Sequence, residues 1–342
     1  MPVGLSMTAV LALLAALCAL LTYVLILPMM PLFRRYTLAR PNARSSHRVP
    51  TPQGGGAAVV VASLTCLLAA ATAIPQSGLW TWPLACLGLG VAVLAAVGAL
   101  DDFNPLPVLP RLCVQGLAAA GGVFAASGGA AAIFGLPSWL VLGLALIGLI
   151  WFINLTNFMD GIDGITVAEF VPLTAGLAVL SVVGLNSMAS GWIAAVLGGG
   201  LLGFAPFNRH AARLFLGDVG SLAIGLVVGV LLLELAFNGH VVAALILPLY
   251  YLADATLTLL RRLRNGERIT EAHRSHFYQR ATDLGWRVPQ ITGLIATVNV
   301  GLCALAVASA WETSALAQLA ALAGAIALTA WLLCDLSREP RR

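Results

Sequence analysis

The stretch from Asn154 to Gly164 places two carboxylates and two carboxamides between two long apolar segments. Asp160 and Asp163 are each followed by glycine, which allows close approach by a ligand. Asn154 and Asn157 precede them. An ordinary Asp-Gly turn between two helices is the structural alternative. Because similar polar motifs recur along the chain, we expect these four side chains to line a substrate site at a membrane surface.

A second acidic motif is the pair Asp101 and Asp102, which follows directly on an apolar segment. Adjacent carboxylates at a helix end repel each other and gain nothing from the helix dipole. A divalent cation or a nearby arginine is therefore expected beside them, and Arg111 is close in sequence. A third carboxylate, Asp218, stands between two glycines just before another apolar segment. It either caps that helix or is presented to a metal ion.

The basic residues of two further segments suit an anion. His47 and Arg48 lie just before Pro50-Thr-Pro-Gln-Gly-Gly-Gly, whose glycine amides are expected to face a phosphate or nucleotide as the next helix begins. A stiff loop with a glycine-rich helix start is the structural alternative.

The longest polar segment contains Arg268, His273, Arg274 and His276. The spacing of the two histidines would place both rings on one helix face. A histidine pair without a third ligand is weak support for zinc, so a clamp around phosphate or sugar is favoured. A basic belt at anionic lipid headgroups is the structural alternative for the neighbouring arginines.

The elements that carry these motifs are membrane helices. Of 342 residues, 60% are hydrophobic and 9% are charged, and the mean hydropathy is +0.96. A soluble protein could not bury so much apolar surface, so we expect an all-α, polytopic integral membrane protein with about eleven transmembrane helices in one domain, 1–342. The expected spans are 6–30, 56–74, 80–100, 113–134, 136–155, 166–185, 188–206, 219–238, 240–260, 290–311 and 313–334.

Charge predicts the orientation of these spans. All 18 basic residues are arginines, and with eleven spans every one lies on a single side. The positive-inside rule makes that side cytoplasmic, with a periplasmic N-terminus and a cytoplasmic C-terminus. The expected cytoplasmic loops are 31–55, 101–112, 156–165, 207–218 and 261–289.

One predicted face thus holds five aspartates among about a dozen arginines. Carboxylates, magnesium and arginine are commonly found together in the active sites of enzymes that catalyse phosphoryl transfer. No predicted loop is long enough for a nucleotide-binding α/β domain. A nucleotide substrate would therefore bind at the rim of the membrane protein, and the second substrate can be a lipid.

The motifs, taken together and in order, resemble those of the polyprenyl-phosphate N-acetylhexosamine-1-phosphate transferases, of the glycosyltransferase 4 type. The likeness covers nearly the whole chain. The motifs that carry it are Pro50-Thr-Pro-Gln-Gly-Gly, Asp101-Asp102, Asn154-x-x-Asn157-x-x-Asp160-Gly-x-Asp163-Gly, Phe215-Leu-Gly-Asp218-Val-Gly-Ser and the loop with His273 and His276.

The resemblance implies transfer of a sugar 1-phosphate from a UDP-sugar to undecaprenyl phosphate, with release of UMP and a requirement for Mg²⁺, or alternatively Mn²⁺. It implies that Asp218 is a magnesium ligand, with Asp101 and Asp102 at the reaction centre, one of them activating the lipid phosphate. We also count Asp101 as a candidate metal ligand. The nucleotide and diphosphate region would contain Asn157, Asp160 and Asp163, and the sugar side His273, Arg274 and His276.

Two departures from the family pattern bear on the substrate: the last loop has fewer histidines, and the usual lysine before the Pro-Gly-Gly motif is absent. They point away from a muramyl-pentapeptide donor and toward the Pseudomonas-type O-antigen-initiating transferases, whose donors carry GlcNAc, FucNAc or QuiNAc. The expected location is the bacterial inner membrane, possible partners include a second copy of the chain, and no nucleic acid is expected. The alternative is a secondary transporter with a carboxylate-lined pathway through Glu169, Glu234 and Asp254.

Overall fold

The computed structural model of the protein describes residues 6–39, 50–74, 77–79, 81–128, 135–268 and 273–340. Within these ranges the chain forms thirteen helices and one two-stranded antiparallel sheet. The strands are β1 (Leu38–Ala39) and β2 (Thr51–Pro52). The helices are α1 (Met7–Tyr36), α2 (Gly55–Ala73), α3 (Trp82–Phe103), α4 (Val108–Ser127), α5 (Ser138–Met159), α6 (Ile165–Val182), α7 (Met188–Asn208), α8 (Asp218–Phe237), α9 (Val241–Ile246), α10 (Leu249–Arg264), α11 (Phe277–Asp283), α12 (Val288–Trp311) and α13 (Ala315–Leu336).

The all-α membrane fold is confirmed, since ten of the described helices are long and apolar enough to cross a bilayer. The eleven-span prediction differs at 240–260, which is not one helix but α9 and α10, separated at Leu247 and Pro248. Proline lacks the N–H that a continuous helix requires. The apolar pattern therefore marked a helical segment here but did not reveal the break, and neither α9 nor α10 is among the ten candidate spans.

Two predicted loops are shorter than expected because helices extend into them. Helix α1 continues to Tyr36 through two internal prolines, although the loop was expected from residue 31. Helix α4 starts at Val108 and carries Arg111 in its first turn, five residues before the expected start at 113. An arginine can extend from a membrane helix toward the surface, so its charge does not mark the helix end.

The helices form a buried centre and a lipid-facing periphery. About three quarters of the membrane window of α7 and α8 is buried, 78% in each case, against 22% for α1 and α4. Helix α8 packs against α2, α3, α4 and α5. The N-terminus of α8 therefore lies where the ends of several other helices meet.

Glycines allow these helices to approach α8 closely at one end of the bundle. A Cβ on Gly98 of α3 would collide with the backbone of Asp218 and Val219, and a Cβ on Gly56 of α2 would collide with Gly220. We call this end of the bundle the motif rim; it consists of the segments that follow α1, α3, α5, α7 and α10.

Backbone pairing joins two segments of the motif rim. Phe215 donates its N–H to Pro52 O at 2.8 Å, and the amides of Gly55 and Gly56 donate to Phe215 O and Leu216 O at 2.9 and 2.8 Å. The expectation that these glycine amides face an anion is therefore wrong. The loop before α8 already accepts their hydrogen bonds.

We expect Gly98→Ala to destabilise the protein, because the added methyl group would push α3 away from α8. Overpacking of this kind costs about 1–3 kcal/mol in the free energy of unfolding. Gly88→Ala on the same helix is the matched control, since a Cβ there meets no atom within 4 Å. Chemical unfolding in detergent measures both, and equal stability of the two variants would contradict the packing argument.

Candidate active site

The N-terminus of α8 is capped by a residue of another helix. Both carboxylate oxygens of Asp102, at the end of α3, accept backbone N–H groups of α8: Asp218 N at 3.0 Å and Val219 N at 3.3 Å. Gln53 donates to the carbonyl of Asp102 at 3.1 Å and ties the β2 segment to the same point. The carboxylate of Asp102 thus positions α8, and it faces the helix rather than open space.

Because Asp102 caps the helix, the side chain of Asp218 is available for other contacts. Asn157 donates to Asp218 Oδ1 at 2.7 Å and to Ser221 Oγ at 3.0 Å. Asp218 Oδ2 lies 3.6 Å from Arg111 Nη1. The N-cap alternative considered for Asp218 is therefore not what the structure has, since its carboxylate points to α4 and α5 side chains.

Asp101 and Arg111 complete this group. Arg111 Nη1 donates to Asp101 Oδ2 at 2.9 Å, and the amide of Leu106 donates to Asp101 Oδ1 at 2.7 Å. The arginine that the acidic pair was expected to need is therefore Arg111. It lies between Asp101 and Asp218, both of which were predicted as metal ligands.

No three His, Cys, Asp or Glu side chains in the described part of the chain form a ready metal-binding group. Magnesium, however, is commonly held by one or two carboxylates together with substrate phosphates and water. Asp218 Oδ2, which lies 3.6 Å from Arg111 Nη1, fits such a role, with Asp101 beside it. This donor set is compatible with a metal that binds together with a phosphate substrate.

The predicted diphosphate residues of the α5–α6 segment divide into two groups. Asp160, which is partly buried, accepts a short hydrogen bond from Thr166. Burial raises the pKa of Asp160 to about 6, with smaller contributions from the charges of Asp102 and Asp163. Asp163 instead contacts the α7–α8 loop, with Oδ2 at 2.7 Å from His210 Nδ1 and 3.1 Å from the amide of Ala212.

Asn154 lies one turn deeper in α5 than Asn157 and has a different partner. Its Nδ2 donates to Gln115 Oε1 of α4 at 2.9 Å and to the carbonyl of Ile150 at 2.8 Å. The structure therefore separates the two predicted carboxamides. Asn157 binds Asp218, whereas Asn154 orients a glutamine that is fully buried.

In the last predicted loop, 261–289, the two histidines are close together although no helix carries them both. Helix α11 begins only at Phe277, so the expectation of one helix face is wrong, yet the ring centroids of His273 and His276 are 4.9 Å apart. His276 Nδ1 lies 3.1 Å from Asp254 Oδ1, and the amides of Phe277 and Tyr278 also donate to Asp254.

The charge state of this loop follows from its surroundings. Burial, together with the nearby His276 and Arg262, lowers the pKa of His273 to about 4. His273 is therefore a neutral hydrogen-bonding group at neutral pH. Arg274 is paired with Asp283 at 2.9 Å and with Thr282 at 2.8 Å, and the carbonyl of Arg268 accepts a hydrogen bond from Arg262 at 2.7 Å.

This loop packs against the predicted diphosphate segment. The hydroxyl of Tyr278 donates to the carbonyl of Phe158 at 3.2 Å and would collide with a Cβ on Gly161. The histidine loop and the α5–α6 segment are therefore parts of one rim. His47 and Arg48 lie outside the described residues.

Sequence reasoning overlooked several residues that the structure places at these contacts. Gln115 and Thr166 sit inside segments that were treated only as apolar spans, and Ser221 ends a motif in which only Asp218 was given a role. A polar side chain within a membrane span was the available signal, since such groups need partners there. The overlooked residues are Gln115, Thr166, Ser221, Tyr278 and, as a loop anchor, Asp254.

The pH dependence of stability should report on Asp160. A carboxyl group whose folded pKa lies above its unfolded value favours the folded state most at low pH, and that contribution is lost as pH rises from about 4 to about 6. We therefore expect Asp160→Asn, which stays neutral and can still accept from Thr166, to gain stability relative to the wild type across this interval. Unfolding midpoints measured from pH 4 to 7 test this, and a constant difference would contradict it.

Comparison with known proteins identifies a family domain within the chain and several related proteins. Residues 84–236 match the family model described as glycosyl transferase family 4. The decaprenyl-phosphate N-acetylglucosaminephosphotransferase of Mycolicibacterium smegmatis is 28% identical over 89% of this chain and 83% of the relative. A Bacillus subtilis protein named "Probable undecaprenyl-phosphate N-acetylglucosaminyl 1-phosphate transferase" is 25% identical over 79% of this chain and 77% of the relative.

A phospho-N-acetylmuramoyl-pentapeptide-transferase of Deinococcus radiodurans is 35% identical over a shorter region, 52% of this chain and 59% of the relative. The matched family region contains Asp101, Asp102, Asn157 and Asp218, which the structure brings together at the N-terminus of α8. Residues 84–236 therefore match a glycosyl transferase family 4 domain, and the relatives that cover most of the chain are named as polyprenyl-phosphate N-acetylglucosamine-phosphate transferases.

Proposed function

We propose that the protein transfers an N-acetylhexosamine 1-phosphate from a UDP-sugar to undecaprenyl phosphate, releases UMP and starts a lipid-linked O-antigen or other cell-envelope glycan. The observation that carries the proposal is the group formed by Asp101, Arg111, Asn157 and Asp218 at the end of four membrane helices. Its position at the bundle end suits a reaction between a lipid phosphate and a water-soluble nucleotide.

The proposed reaction is an in-line attack by an oxygen of the lipid phosphate on the β-phosphorus of the donor. A new P–O bond forms, the bond from the β-phosphorus to the oxygen of the α-phosphate breaks, and UMP leaves with that electron pair. The product is a polyprenyl diphosphate sugar. No oxidant or further co-reactant is required.

Electrostatic repulsion is the main barrier that the site must lower. Two unit charges 4 Å apart repel by about 4 kcal/mol at an effective dielectric of 20. Arg111, held by Asp101 at 2.9 Å, offsets negative charge at this point. Bound Mg²⁺ would neutralise further charge on the donor diphosphate.

The residues that would hold this metal are Asp218 and Asp101. Asn157 orients Asp218 by binding its Oδ1, while the capping contact of Asp102 with α8 keeps the backbone of Asp218 in place. In this proposal Asp102 acts as a positioning residue. Asp101 remains the candidate for activating the lipid phosphate.

The histidine loop is proposed to contact the sugar. His273 is neutral at neutral pH, because its pKa is lowered to about 4, and so it suits a hydrogen bond to an uncharged N-acetylhexosamine. We include GlcNAc, FucNAc and QuiNAc donors in the proposal. GlcNAc is the first donor to test, since relatives covering most of the chain carry N-acetylglucosamine in their names.

The motif rim is proposed to face the cytoplasm of a bacterial inner membrane. All 18 basic residues are arginines that fall in segments predicted on that side, and UDP-sugars are water-soluble substrates. No observation favours the transporter. Its candidate carboxylates Glu169, Glu234 and Asp254 are bonded to Asn299, Ser190 and His276, respectively.

The proposal predicts that Asp218→Asn and Asp101→Asn each lower turnover by at least about a hundredfold, because electrostatic groups at a reaction centre are usually worth that much. Release of UMP from a panel of UDP-N-acetylhexosamines, with undecaprenyl phosphate and with or without Mg²⁺, measures this. Glu312→Gln, at the opposite end of α12, is the matched control and should keep wild-type turnover. Wild-type turnover in either aspartate variant would remove that residue from the mechanism.

A further inference from the structure

Gln115 of α4 has a buried donor whose direction is set by its neighbours. Asn154 Nδ2 must be a donor, because it also contacts the carbonyl of Ile150. The atom of Gln115 that faces Asn154 at 2.9 Å is therefore its acceptor, Oε1. Gln115 Nε2 is therefore not the atom that faces Asn154.

The Nε2 group of Gln115 is buried and has no hydrogen-bond partner among the described residues. The side chain is fully buried, with 0% exposure. A buried polar group without a partner is costly, and the bilayer offers no water to compensate it. The presence of this unpartnered Nε2 donor is explained if an atom of a bound ligand accepts a hydrogen bond from it.

A second unpartnered donor lies on the same face of α4. Arg111 is four residues before Gln115, or about 6 Å nearer the motif rim. Its Nε is also buried and lacks a partner within the described ranges, while Nη1 binds Asp101. One cationic and one neutral donor on one helix face suit an anion with several acceptor oxygens, such as a phosphate.

Helix α4 also lies next to the lipid. Leu109 and Leu117, which flank Arg111 and Gln115 in sequence, are 71% and 76% exposed. These two leucines lie on the side of α4 turned away from Arg111 and Gln115, so the lipid is one helix diameter, roughly 10 Å, from the two donors. An acceptor whose chain lies in the bilayer would bring its phosphate to them around the rim end of α4, whereas a nucleotide would approach the rim from water.

We propose that Gln115 binds the phosphate of the polyprenyl acceptor, with Asn154 as the positioning residue that keeps its Nε2 directed at that phosphate. The assignment rests on the proposed transferase function. It gives Asn154 an indirect role in place of the direct substrate contact predicted from sequence.

The experiment compares Gln115→Met and Gln115→Glu with the wild type. Methionine has a similar length but no donor, and glutamate keeps the acceptor facing Asn154 while replacing the Nε2 donor with an oxygen. A hydrogen bond to a charged group is worth about ten- to a hundredfold in affinity. We therefore expect KM for undecaprenyl phosphate to rise by about that factor in both variants, with KM for the UDP-sugar little changed.

Direct binding separates this inference from the proposed function. Native mass spectrometry of the purified protein with undecaprenyl phosphate and with undecaprenol requires no donor sugar. We expect the wild type to prefer the phosphorylated lipid and both variants to lose most of that preference. Absence of UMP release from any donor, with this binding pattern intact, would count against the transferase but support the phosphate site.

The matched control is Asn186→Leu at the opposite end of the bundle. Asn186 also pairs through its side-chain oxygen with a carboxamide, that of Asn238 at 2.9 Å, and its Nδ2 is likewise buried and lacks a partner in the described chain. The Asn186→Leu variant should leave KM for undecaprenyl phosphate unchanged. Wild-type binding of undecaprenyl phosphate by Gln115→Glu, or a rise in KM for the UDP-sugar alone, would overturn the proposal.

Discussion

The contact between the carboxylate of Asp102 and the first amides of α8 is the interaction on which the motif rim depends. It joins α3 to α8 at the point where both helices end. Gly98 permits the close approach, and Gly217, at φ 78°, lies so near Asp102 that a side chain there would collide with its carboxylate. A charged acceptor on a helix N-terminus is favourable because the orphan amides and the helix dipole both attract it. The position of Asp218, and through it of Asn157, follows from this contact.

The same device recurs at other places on the rim. Asp254 of α10 accepts the first amides of α11, and Asp163 accepts the amide of Ala212 in the loop before α8. In a membrane protein the backbone amides of irregular segments need partners that water cannot everywhere supply. Several aspartates that suggest chemistry in the sequence therefore hold segments together. Under the proposed function the groups left to meet a substrate or metal are fewer: Asp101, Asp218 Oδ2, the buried donors of Arg111 and Gln115, and the histidine loop.

The sequence patterns located the polar motifs, but they predicted only some of the groups that these motif residues contact. Arg111 was expected beside the acidic pair and is there. The glycine amides of Gly55 and Gly56, expected to face an anion, are bonded to the loop before α8. The histidine pair is close in space, although no helix carries it. Each error has one cause: spacing along the chain describes local geometry, whereas these groups are paired across elements.

The sequence alone determined the class of the protein, because long apolar segments can be stable only in a bilayer and their lengths follow from its thickness. It also determined which segments carry polar chemistry, since most charged residues lie outside the apolar spans and collect at their ends. Only the tertiary structure decided which carboxylate caps a helix and which faces the site. Asp102 and Asp218 are 116 residues apart, and Asn157 and Asp218 are 61 apart. Contacts over such separations depend on how the helices pack, and local sequence patterns do not specify that packing.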